Sequence, residues 1–178
     1  MPHRSPATRP WPPRTSNPSA LLDAYTRVLG WSLSVDDVPC TAREAAERLE
    51  RLPDAVVSTE CRGFDVIALP ARVSRIAALH LERDEDLDRE GVVVPAFHSE
   101  PSLILLVRAG TSEEVSGLEG LRWIAEGGDL VVPPGRGLAW DTPPWKAARP
   151  EPAPFPDAAR LKDTLTTALA VRDSPPPP

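Results

Sequence analysis

At 178 residues the chain is long enough to bury a sizeable core without disulfide or metal staples, so size excludes no enzyme class. Apolar residues make up 41% of it, enough for such a core, whereas 23 prolines are more than one compact fold carries. A formal charge of −6 excludes attraction to a phosphate backbone through the overall field, and no apolar run reaches membrane-spanning length.

The first stretch, residues 1–16, reads as a disordered Pro/Arg-rich tail. It carries Arg4, Arg9 and Arg14 and no acid, which leaves the rest of the chain near −9. Any nucleic-acid contact therefore needs a local basic patch or this arm. Its prolines interrupt the apolar core that a signal peptide requires, so a cytoplasmic protein is expected. An ordered domain is expected over 17–145. Leu21, Leu22, Tyr25, Val28 and Leu29 recur at helical spacing, and Gly30 suits the stop. Trp31, Leu33 and Val35 alternate with serines, as in a half-buried strand. Thr41 and Glu44 form a capping box for a helix over Thr41 to Leu52. Strands follow at Ala55 to Thr59 and Phe64 to Leu69 around a turn at Gly63. From Pro70 the period becomes helical through Val73, Ile76, Ala77 and His80. The acidic run Glu82 to Glu90 reads as a solvated loop. Val92 to Phe97 and Ser102 to Val107 read as a strand pair turning at Glu100 and Pro101. A weaker helix is expected over Leu118 to Glu126, then Gly127, Gly128 and a strand at Asp129 to Val132. Residues 146–171 read as a Pro-rich linker and a helix bearing Ala158, Leu161, Leu165 and Leu169, and 172–178 as a second disordered tail. The order predicts an α+β fold, a mixed or antiparallel sheet with helices packed on it.

Candidates for chemistry are few. Cys40 and Cys61 lack a metal or redox spacing and read as ordinary thiols. His3, His80 and His98 are scattered, with His3 in the tail, His80 beside an apolar helical face and His98 at a strand end. Neither a nucleophile elbow nor a P-loop occurs. The loop Pro133-Pro134-Gly135-Arg136-Gly137 offers backbone amides and Arg136 to an anion such as a nucleotide phosphate, or is a plain turn. Trp123 is expected to pack into the core from its helical face, and Trp140 with Trp145 to pin the exit segment onto the domain.

Three segments together resemble the N-terminal domain of bifunctional DNA primase/polymerases, especially the shortened actinobacterial versions. These are the helix-to-strand passage Leu21 to Trp31 with its Gly30-Trp31 step, the strand region Ala55 to Leu69 ending at Pro70, and Gly127-Gly128-Asp129-Leu130-Val131-Val132-Pro133-Pro134-Gly135. The resemblance implies a palm-like fold in which paired carboxylates hold magnesium or manganese for nucleotidyl transfer. Two such ions clamp the attacking and leaving oxygens, so their ligands must gather several negative charges at one point. The positions expected to be acidic are Ala68 and Pro70, which cannot coordinate metal. Asp65 lies three residues before Ala68, on the opposite strand face. The family's later-strand histidine has no counterpart within Ser102 to Val107.

The resemblance therefore implies a degenerate, non-catalytic domain with no metal or cofactor, which acts by binding a protein partner, a nucleotide or nucleic acid. The alternatives are an active nucleotidyltransferase whose altered magnesium or manganese site uses Asp65, Asp129 and His98, and a protein-binding module whose proline-rich tails serve as docking peptides.

Overall fold

The computed structural model describes residues 11–13, 17–100 and 102–170. Most of the two expected tails, and Pro101, lie outside these. Helix α1 (Pro18–Arg27) starts where the Asn17 side chain accepts from the Ala20 amide at 3.1 Å and Pro18 fills a first-turn position that needs no N–H. Its buried face is Leu21, Leu22, Ala24 and Tyr25. Strands β1 (Leu33–Val35) and β2 (Val38–Cys40) form a hairpin. Its two turn residues, Asp36 and Asp37, have φ of 50° and 61°, the left-handed pair that a two-residue hairpin loop demands. Asp36 is held there by Val56, whose amide donates to its carboxylate and whose carbonyl accepts from its amide. Pro39 has no N–H for a central ladder, and β2 is accordingly an edge strand. Helix α2 (Ala42–Arg51) carries the expected Thr41–Glu44 capping box.

Strands β3 (Val57–Glu60) and β4 (Phe64–Leu69) follow, then α3 (Ala71–Glu82), α4 (Glu85–Glu90), β5 (Ala96–Ser99) and β6 (Ser102–Arg108). A 3₁₀ turn at Ser112–Val115 precedes β7 (Arg122–Ile124) and β8 (Asp129–Val131), and another at Gly135–Gly137 precedes β9 (Trp140–Thr142) and α5 (Ala158–Ala170). The acidic run expected to be a loop holds the short helix α4. The helix expected over Leu118 to Glu126 is instead a turn and the strand β7, because Arg122-Trp123-Ile124 finds a ladder along β4.

The α+β architecture holds, with two antiparallel sheets rather than one. The four-stranded sheet has the order β2-β1-β3-β8 and the five-stranded sheet β7-β4-β6-β5-β9. Strands β3 and β4, adjacent in sequence, part company at Gly63, whose φ of +76° turns the chain from one sheet into the other. Along β4, Phe64, Val66 and Ala68 join a core that draws on both sheets and on α1 and α2, while Ile67 and Leu69 join a second core beneath α3 and α5. The proline-rich stretch after Thr142 folds back on itself through a Trp145–Pro152 bridge and a bond from the Lys146 amide to the Glu151 carbonyl at 2.9 Å. Among the described residues no helix is long and apolar enough to cross a membrane.

Candidate anion-binding end of the five-stranded sheet

The register of the five-stranded sheet brings several elements to one end. Ala68 pairs with Arg122 on one side and Ile104 on the other, Leu69 with Leu103, Ser99 with Ser102, and Phe97 with Trp140. The close of β4, the close of β5 and the starts of β6, β7 and β9 thus share a rim. Two clefts open along it.

The first cleft, about 620 Å³, is lined by Ala68, Pro70, Arg72, Ser102 and Arg122 among others, and by no acidic residue. Ala68 faces it because even positions of β4 point away from α3, and Arg122 faces it because it is Ala68's ladder partner. Arg72 comes from the first turn of α3. That turn starts at Pro70, which offers no side-chain acceptor, so its orphan amides add partial positive charge at the same place. Neither the Arg72 nor the Arg122 guanidinium has a hydrogen-bond or ion-pair partner among the described residues.

The second cleft, about 600 Å³, holds charges of both signs, with His98, Glu100, Arg136 and Asp141 around Val131. His98 Nε2 lies 3.5 Å from Asp141 Oδ2, both side chains about half exposed. Arg136 is exposed and adopts a φ of 53° within the turn. Its neighbour Gly135 serves the fold: a Cβ there would sit 2.6 Å from the Val57 amide nitrogen, and its own amide donates to Val132 at 3.1 Å. Gly137 closes the same 3₁₀ turn. The loop is therefore a close-packed turn that presents one arginine.

The other sequence candidates do not converge with this rim. Asp65 is buried on the α3 side of β4, where Oδ1 accepts from the Glu126 amide at 2.9 Å and Oδ2 from the Ser112 amide at 3.1 Å. It ties two loops to the strand. Asp129 lies at the start of β8 in the other sheet, opposite Glu60. Both carboxylates act on Cys61, whose thiol is pushed up to about 12, first by burial and then by Asp129, Asp65 and Glu60. Among the described residues no three or more His, Cys, Asp or Glu side chains gather as a metal-ligand group. Ala68 and Pro70 supply no oxygen beside the arginines, so the local residues do not fit a magnesium or manganese pair.

Trp123 is not a core residue: it lies on the edge strand β7 and is 44% exposed. His80 is half-buried on α3. Sequence reading did not single out Arg72 or Arg122. The available signal was the arginine two residues after Pro70; the position of Arg122 depended on a strand pairing that local sequence does not encode. Comparison with family models, curated proteins and solved structures returns no match.

Proposed function

We propose that the chain is a primase/polymerase-like domain without nucleotidyl-transfer activity, which binds a phosphate-bearing ligand, a nucleotide or nucleic acid, at the Ala68–Arg122 end of the five-stranded sheet. One observation carries the reading. Arg72, Arg122, Ser102 and the uncapped start of α3 meet in an acid-free cleft at Ala68 and Pro70, where the sequence resemblance implies metal-binding acids.

Guanidinium groups hold phosphate oxygens through paired, charge-assisted hydrogen bonds and repel a divalent cation. A helix start adds N–H donors aimed at an anion. The net charge of −6 does not oppose this at contact range, because salt screens exposed charges beyond about 8–10 Å. Against an active site built from Asp65, Asp129 and His98 stands their distribution. One acid is engaged with two backbone amides on the far face of β4, another lies in the other sheet, and the histidine pairs with Asp141.

Titration of ATP and of a fluorescein-labelled single-stranded oligonucleotide tests the binding half. Saturable binding that weakens about tenfold or more with Arg72→Ala or Arg122→Ala, and falls steeply with salt, is the expected result. Binding of neither probe, or binding indifferent to both arginines, overturns it. Primer extension with magnesium or manganese tests the other half: robust incorporation abolished by Asp129→Ala would show an enzyme.

A further inference from the structure

A third hollow lies away from the arginine rim, against the proline-rich stretch. Trp11, Pro12 and Pro13 lie across this region. The Trp11 Nε1 donates to the Lys146 carbonyl at 3.0 Å, and its ring meets that of Trp145 edge-on, centroids 6.0 Å apart. Pro13 is buried, Trp11 half-buried and Pro12 exposed, so the chain bends at Trp11 and Pro12 and turns Trp11 and Pro13 toward the domain. The tripeptide does not fill the space. An apolar hollow of about 650 Å³ continues between Pro12 and Pro13 on one side and Val93, Pro143, Trp145 and Pro154 on the other. That is within the roughly 300–1,000 Å³ of ordinary ligand pockets.

We propose that this groove is a docking site for proline-rich peptides carrying an aromatic-Pro-Pro unit, and that Trp11–Pro13 is its resident occupant, displaceable by the same chemistry in trans. Proline suits such a groove because its fixed φ lowers the entropy lost on docking and its ring packs flat on an indole. Tryptophan suits the anchoring position because it combines a large apolar ring with one N–H, here spent on the Lys146 carbonyl. The unfilled hollow gives a longer ligand additional apolar surface that the resident tripeptide leaves uncovered. The arm holds its place by tethering, since a short linker raises its local concentration to the millimolar range.

The test uses the full chain with Trp11→Ala and Pro13→Ala, which frees the groove. A fluorescein-labelled peptide of residues 9–15, Arg-Pro-Trp-Pro-Pro-Arg-Thr, is titrated by anisotropy. Saturable binding is expected, at least about tenfold tighter than to the unaltered chain, whose arm competes. Adding Val93→Glu, an exposed position at the rim of the hollow, is expected to weaken the peptide about tenfold or more without disturbing the near-UV circular dichroism. Three results would each overturn the proposal: no saturation by the opened chain, equal binding to opened and unaltered chains, or indifference to Val93→Glu. Trp11→Ala alone repeats the comparison if the double variant loses its near-UV signal.

Discussion

The two cores on either side of the five-stranded sheet are made of different residues. Toward the second sheet lie Tyr25, Trp31, Phe64, Phe97, Trp140 and Trp145, with Trp11 and Phe155 at the margin. Toward α3 and α5 the buried side chains are aliphatic: Leu, Ile, Val and Ala, with no aromatic among them. The aromatic side also carries polar work. The Tyr25 hydroxyl donates to the Pro133 carbonyl at 2.6 Å and accepts from the Trp140 indole N–H, which ties α1, the Pro133 loop and β9 together. The aliphatic side relies on shape and area at its centre, with Asp65, Ser74 and Thr111 bonded to backbone at its edges. One core is fixed by directional contacts, the other by volume.

If that contrast is right, the largest loss comes from the aromatic side. Trp140→Ala removes a buried ring, its edge-on contact with Phe97 at 4.8 Å and the indole donor to Tyr25; about 4 kcal/mol of unfolding free energy is expected by denaturant titration. Leu165→Ala, fully buried beneath α3, is expected to cost about 3 kcal/mol. A larger loss at Leu165 than at Trp140 breaks the comparison. Tyr25→Phe keeps the ring and removes the hydroxyl, stranding the Trp140 N–H and the Pro133 carbonyl, for about 2 kcal/mol.

Alkali should find only the aromatic core. Burial raises the Tyr25 phenol well above its usual range and the Cys61 thiol to about 12, and both belong to that cluster. Between the unfolded thiol's roughly 8.5 and about 12, the folded chain keeps a proton that the unfolded chain has lost. Stability therefore falls as pH rises through that window and is fully present below it. Near-UV circular dichroism followed from pH 8 to 12 checks this, with Cys61→Ala expected to move the decline upward; a pH-independent signal sinks the idea.

Much of the fold was legible where a local device marks it. The helical spacing of Leu21 to Leu29 and the Thr41–Glu44 box announce α1 and α2, and the short apolar run Phe64 to Leu69 after Gly63 announces β4. What escaped depends on partners distant in sequence. Asp36-Asp37 is not the usual Asn-Gly hairpin signal and adopts its left-handed turn because Val56 holds it, so β2 went unseen. The division into two sheets rests on where β3 and β4 find partners, and the arginine cleft on the Ala68–Arg122 pairing. Alternation did place Asp65 and Ala68 on opposite faces.

Trp123 is the clearest case of a wrong period, and it gives the smallest expected effect. Leu118, Leu121 and Ile124 fall at helical spacing, and a short apolar run does not distinguish that period from a strand's. Once β7 pairs with β4, Ile124 turns inward and Trp123 outward on an open sheet edge. It is the one aromatic outside the cluster between the sheets, so Trp123→Ser should change stability by less than about 0.5 kcal/mol. A loss near that of Trp140→Ala would mean that this ring is packed, and that the aromatic core does not end at the second sheet. A near-zero change would locate the stabilising aromatics on one side of the five-stranded sheet and leave Trp123 as exposed apolar area on the strand face opposite Arg122.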